Sequence, residues 1–227
     1  MHRVFALALL PGLVLLAACQ AKAPALSPDE ILSRAAERAG AVKSFHFQLA
    51  HSGGRSPLVA GVELESAEGD IVPPGRLSTT LIAFVAGVAL ELKVVTVAGT
   101  TYMTNPLTGR FEALPTGVNP VAFFNPDGGV KAVLRGIKGA QPGSEDSIDG
   151  VPSYRLAGEV EASLLQAFVG SPAPGAVVDT EVWIGKTDFL VRQITFRGQV
   201  MQGDAVGVLR TLRLSRFDQA VAIEPPS

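Results

Sequence analysis

The chain has 227 residues, 47% of them apolar and 18% charged, with 19 basic side chains against 21 acidic ones and a net charge of −2. That balance excludes nucleic acid as a partner, because phosphate neutralisation needs clustered Lys and Arg, and it excludes membrane binding through a polybasic patch. A single cysteine excludes a disulfide framework, so the fold rests on its core, and a mean hydropathy of +0.31 supplies aliphatic side chains in surplus.

In chain order, Arg3 precedes an apolar run from Val4 to Leu16, which ends in Ala17-Ala18-Cys19. A basic start, a short hydrophobic stretch and small residues before a cleavage point read as an export signal. The run is too short to span about 30 Å of hydrocarbon, and Pro11-Gly12 interrupts it. Leu16-Ala17-Ala18-Cys19 resembles the bacterial lipobox, in which the cysteine becomes the first mature residue and carries a diacylglyceryl thioether. Cys19 is the only cysteine, so no other role competes for it. On this reading 1–18 is a lipoprotein signal peptide, 19–26 a membrane tether rich in Ala and Pro, and 27–227 one domain. Loss of Arg3 with the leader takes the net charge from −2 to −3. Long acyl chains at about 0.8 kcal/mol per buried CH₂ hold a protein on a membrane stably when there are two of them. The expected location is the extracytoplasmic face of a membrane in the bacterial cell envelope.

Ser27-Pro28-Asp29-Glu30 forms a capping box with proline at the first helical position. Ile31, Leu32, Ala35, Ala39 and Val42 follow at helical spacing, which predicts a helix over 28–39 stopped by Gly40. The period then changes to two: Phe45, Phe47 and Leu49 alternate with polar or small residues in a strand. Val62–Glu65 is its return strand, and Glu68-Gly69-Asp70 with Pro73-Pro74-Gly75 punctuates the next connection. Leu77–Val85 and Val88–Val97 predict two strands joined at Ala86-Gly87, with Leu90, Leu92 and Val94 on one face. Shorter strands follow around Thr101–Met103 and Arg110–Glu112. Phe123 and Phe124 lie in a Pro-containing loop, as a lip or a plug. Val130, Val133, Leu134 and Ile137 predict a short helix ended by Gly139, and Leu164, Leu165, Phe168 and Val169 predict another. Asp149-Gly150 marks a hairpin. Strands are predicted at 144–148, 151–160, 177–184, 190–200 and 206–217, with a last edge strand over 221–224. About ten sequentially neighbouring strands with three inserted helices predict an α+β fold: one large curved antiparallel sheet, a half-barrel, with helices over its concave face.

Convergent polar chemistry is sparse. His46 and His51 share neither a helix face nor a strand face, so they read as an exposed strand residue and a turn residue rather than metal ligands. There is no Gly-x-Ser-x-Gly elbow, and Ser52-Gly53-Gly54 and Asp127-Gly128-Gly129 lack the Lys-Ser/Thr of a phosphate loop. Glu63/Glu65, Glu68/Asp70 and Glu145/Asp146 are carboxylate pairs that read as solvent-facing or turn residues. The expectation is a protein without catalytic residues, cofactor or metal.

The signal and lipobox, the capped helix leading to Ser44-Phe45-His46-Phe47, and Glu68-Gly69-Asp70-Ile71-Val72-Pro73-Pro74 resemble the LppX/LprAFG lipoproteins described from mycobacteria. The likeness continues through Tyr102–Gly109, Asp149–Gly158, Val182-Trp183-Ile184 and Leu212–Asp218. It departs at Phe111, where a tryptophan is expected, but an aromatic is kept. The resemblance implies a fold related to the LolA/LolB carriers, with an apolar cavity between sheet and helices that takes an acylated lipid or glycolipid. A 16-carbon chain moving into water faces roughly 13 kcal/mol, which a dry cavity removes. Strand and helix parity offers Phe45, Phe47, Leu49, Leu90, Leu92, Val94, Ile194, Phe196, Leu212 and Leu214 as lining, with Ile31, Val133, Leu134, Ile137, Leu164 and Phe168 from helices. The same positions serve equally as core, since parity names a face and not what the face meets. A monomer is expected, held to the membrane by Cys19, with an envelope transport protein as a possible partner. The other reading keeps the same fold with a collapsed cavity, as a sensor or scaffold for a protein partner.

Overall fold

The computed structural model describes residues 26–59, 61–115, 121, 129–166, 172–205 and 207–226. Helix α1 (Pro28–Ala41) begins as its capping box dictates: Ser27 Oγ accepts from the Glu30 N–H at 3.2 Å, and Pro28 opens the first turn. It buries Ile31, Leu32, Ala35 and Ala36 and runs past Gly40, ending where Val42 turns extended. Then come β1 (Phe45–Ser52), β2 (Ser56–Val59), β3 (Val62–Val72), β4 (Arg76–Val85), β5 (Val88–Val97), β6 (Thr100–Thr104) and β7 (Phe111–Ala113). Helix α2 (Gly129–Gly136) leads into β8 (Lys138–Pro142), β9 (Asp146–Ile148) and β10 (Val151–Glu161). A 3-10 turn (Ala162–Leu165) precedes β11 (Val177–Gly185), β12 (Val191–Arg197) and β13 (Leu209–Ser215).

The thirteen strands form one antiparallel sheet in the order β7-β6-β5-β4-β3-β1-β13-β12-β11-β10-β8, with β2 beside β3 and β9 beside β10. The two ends of that order do not pair, so the sheet is an open, curved half-barrel with helices over its concave face. Its halves are joined by β1 and β13, from His46 opposite Ser215 to Ser52 opposite Leu209. Registers align one aliphatic row across the sheet: Leu92, Leu81, Ala67, Leu49, Leu212, Ile194, Val182 and Leu156. Phe45, Phe47, Leu214 and Phe196 lie on the same face, and α1 and α2 pack on it and on each other. Gly136 lets α2 approach the 3-10 turn closely, since a Cβ there would stand 2.1 Å from Leu164 Cδ1.

Several sequence expectations need correction. The sheet has thirteen strands rather than about ten, partly because β8 forms where a helix ending at Gly139 was expected. Ile137 therefore sits between α2 and β8, and Gly139 adopts φ 63° inside a strand. Glu68-Gly69-Asp70 is not a connection but the middle of β3. Residues 221–224 form no strand; instead Ile223 is buried and its carbonyl accepts from Arg76 Nη1 at 3.0 Å. The second expected short helix is present as the 3-10 turn Ala162–Leu165, while Phe168 and Val169 lie outside the described residues.

Candidate functional site

The concave face is the candidate site, and most of the expected lining is on it. Phe45, Phe47, Leu49, Val133, Leu134, Ile137, Ile194, Phe196, Leu212 and Leu214 are buried in one cluster with Ile31, and Leu164 packs against it half-buried. Leu92 and Val94 are buried on the same face of β5. Leu90 has the same parity but is only half-buried, close to the open β4–β5 turn. Phe168, Phe123, Phe124 and Cys19 lie outside the described residues.

These side chains meet one another closely. Among the described residues, the enclosed apolar space is a recess of about 30 Å³ between α1, α2 and the start of β1, walled by Val42, Phe45, Val130, Leu190, Leu214 and Phe217. That holds one or two waters and falls short of the roughly 300 Å³ a drug-sized ligand occupies. Lys131 stands at its wall, with no ion-pair partner among the described residues. The opposite face of β8–β13 carries a broad polar hollow of about 970 Å³. There Arg155 pairs with Glu181 at 2.8 Å and Arg213 donates to Gln193 at 2.9 Å. The Trp183 indole N–H at 3.0 Å, and then the Ser147 N–H, hold Asp146 below the usual carboxylate range.

Neither histidine is the free residue expected from sequence. Both belong to β1 and both are bonded. His46 is buried between Asp70 (Nδ1, 2.9 Å) and Glu68 (Nε2, 3.0 Å), with Arg216 bonded to Asp70 at 3.1 Å. The carboxylates approach opposite ring nitrogens, so the three cannot converge on one ion. No metal-binding group of three or more such side chains occurs among the described residues.

The other histidine belongs to a buried chain that sequence reading missed. Arg210, 1% exposed, is the largest fully buried side chain among the described residues and lies on the concave face in line with Leu212 and Leu214. Its Nη2 meets Asp204 Oδ2 at 2.5 Å, and its Nε and Nη2 donate to Ser56 Oγ at 3.0 and 2.7 Å. Ser56 Oγ is 2.8 Å from His51 Nε2, and His51 Nδ1 is 2.9 Å from the Glu65 carbonyl. A carbonyl only accepts, which puts the proton on Nδ1 and makes Nε2 the acceptor from Ser56. A serine bonded to a histidine is the start of a nucleophilic pair. Here Ser56 is buried and its oxygen already takes two guanidinium donors, so it braces the β2–β13 end of the sheet instead. The signal for Arg210 was present, since strand parity places it on the greasy face.

Burial lowers the His51 pKa from 6.5; the bond to the Glu65 carbonyl opposes this, the nearby Arg210 charge adds to it by less, and Asp204 opposes it by less again. A base with a depressed folded-state pKa binds fewer protons folded than unfolded below pH 6.5, so its contribution to stability is intact above that value and fades as pH falls through the folded pKa. Thermal unfolding should therefore shift down between neutral pH and about pH 5.5, and His51→Gln should flatten this part of the profile. An unchanged profile in the variant would refute the assignment.

A family model described as LppX_LprAFG lipoprotein matches residues 27–223. Among solved structures, the fold is similar to LprF from Mycobacterium bovis at a TM-score of 0.71 and 17% identity, over 88% of this chain and 97% of that one. It is also similar to the lipoprotein LppX of Mycobacterium tuberculosis, at a TM-score of 0.62 and 13% identity over 87% and 98% of the two chains. Comparison with curated proteins by sequence gives no match.

Proposed function

Because the chain belongs to the LppX_LprAFG lipoprotein family, we propose that it is anchored through an acylated Cys19 and carries acylated lipid or glycolipid within the cell envelope. The observation that carries this reading is the aliphatic row from Leu92 to Leu156, continuous across eight strands of the open sheet. Among the described residues the helical cover over that face is slight. Helix α2 has eight residues, too few to be stable alone, so apolar contact through Val130, Val133 and Leu134 keeps it in place. An acyl chain offers the sheet the same kind of contact and can replace those side chains with little net cost. The closely filled state described above is then the empty carrier, and Phe45, Phe47, Leu49, Leu212, Leu214, Val133 and Leu134 line the path that opens. Lys131 beside the recess supplies a countercharge for an anionic headgroup.

The test uses Cys19→Ser, so that any acyl lipid recovered is bound rather than covalent. The variant should leave the membrane fraction, and mass spectrometry of the detergent-free protein should find acylated lipid. Repeated absence of lipid, together with no uptake of a fluorescent acyl probe from vesicles, would overturn the carrier reading. A second reading is favoured by the tight filling of the concave face and by the 970 Å³ polar hollow on the other side. It makes the domain a docking platform, and recovery of a stoichiometric protein without lipid would select it.

A further inference from the structure

The two rims of the half-barrel differ in chemistry. At one rim β1 and β13 meet α1 and the β11–β12 turn among Lys43, Lys186, Asp188, Arg192, Arg216 and Asp218. At the other, Val62 at the start of β3 stands directly opposite Val85 at the end of β4. The sequence reads Val-Ala-Gly-Val at both 59–62 and 85–88, and from Ala83 to Leu90 it has no polar side chain. Val88 is 61% exposed and Val85 37%; Val177, 55% exposed, starts β11 on the same rim. Ala86 and Gly87 take φ of 50° and 82°, a turn that water-facing hairpins fill with Asn-Gly or Asp-Gly. An alanine there accepts backbone strain and gives up a solvated side chain. The β5–β6 turn also uses Ala98-Gly99, but threonines follow it at once.

We infer that this rim docks on the bilayer, with the exposed Val85–Val88 turn dipping into its apolar boundary. The inference rests on the reading of Cys19 as the anchor. The small aliphatics of the Val85–Val88 turn suit an interface without defined shape. Arg55 lies just behind the tips, 3.5 Å over the Phe84 ring and bonded to Glu65 at 3.0 Å, an arginine–aromatic pair at the depth of the headgroups. The chain outside the described domain explains why so little apolar area is enough. From Cys19 to Ser27 an extended tether reaches roughly 27 Å. The domain is thus held near the membrane at high effective concentration, where weak insertion becomes persistent. Insertion by uncharged side chains also makes the contact insensitive to salt.

The test labels Val88→Cys with an environment-sensitive fluorophore in the mature lipoprotein, whose Cys19 thiol is blocked by acylation. A second preparation labels Thr187→Cys, an exposed residue of the β11–β12 turn on the opposite rim. Phosphatidylcholine vesicles should raise the emission at 88 at least twofold with a blue shift, and bilayer-borne spin quenchers should reduce it, equally at high salt. The label at 187 should stay water-like. The same pair of labels is measured on a Cys19→Ser chain held by an N-terminal hexahistidine on nickel-chelating lipid. Shielding at 88 in this chain, with no vesicle association of the native form, keeps the docking rim and refutes the anchor. A water-like label at 88 on the nickel-held chain overturns the inference. So do equal shielding of both labels and shielding at 88 without vesicles, which would point to a second copy of the chain.

Discussion

Asp204→Ala is expected to destabilise the domain by about 3–5 kcal/mol, because it leaves the Arg210 guanidinium buried with no countercharge. In a domain of this size that is a fall of roughly 10 °C or more in Tm. Three donors lose their acceptor at once: Asp204 Oδ2 takes Arg210 Nη2 and the backbone N–H groups of Val200 (2.9 Å) and Met201 (2.6 Å). Burial already pulls the Arg210 pKa below its usual value, and Asp204 is what opposes that pull. Asp204→Asn keeps an acceptor for the two N–H groups and loses only the charge, so its cost should be smaller. Asp204→Ala with Arg210→Met removes both halves of the pair, and its stability should recover well above that of the single variant. Calorimetry of these three variants and of Arg210→Met alone decides. A loss in the double variant equal to the sum of the two single losses would show that the pair is not coupled.

Local chemistry was legible in the sequence, and pairing across the chain was not. The start of α1 was readable because Ser27, Pro28 and Glu30 act within one turn. The β4–β5 hairpin was readable because its alternation and its Ala86-Gly87 turn are contiguous. The concave face was readable by parity, and Phe47, Leu212 and Ile194 are buried as expected. What parity did not reveal is that, among the described residues, these side chains pack against one another and leave a small recess beside Phe45. Strand β8 was missed because Lys138-Gly139-Ala140-Gln141-Pro142 has neither alternation nor β-branched residues; it is a strand only because β10 pairs with it. The bond between the two halves, β1 to β13, joins segments at opposite ends of the domain and has no local signature. His46 and Glu68 were read as solvent-facing or turn residues because the register that brings them together is also non-local.

Gly69 is where local reading failed most directly, and it carries the second large effect. Glu68-Gly69-Asp70 has the composition of a turn, yet Gly69 lies inside β3, opposite Phe47 on one side and Thr79 on the other. The glycine is there for space. Thr79 Oγ1 donates to the Glu68 carbonyl at 2.8 Å, which draws β4 across the place a side chain would take. A Cβ on Gly69 would stand 2.1 Å from the Ser78 carbonyl oxygen and 2.7 Å from Thr79 Cα. Both are backbone atoms, so no rotamer change relieves the overlap, and β3 and β4 have to separate. Gly69→Ala should therefore cost about 3 kcal/mol, at the upper end of ordinary overpacking, despite the usual gain from replacing glycine in a strand. Adding Thr79→Gly removes only the Thr79 Cβ and leaves both backbone atoms in place, so it should restore little of the loss, and Thr79→Gly alone should be mildly destabilising. Because Gly69 lies beside Phe47 on the concave face, a separated β3–β4 pair should also raise acyl-probe uptake if that face opens to lipid. A Gly69→Ala protein with unchanged Tm would mean that β4 does not approach β3 as closely as the register requires.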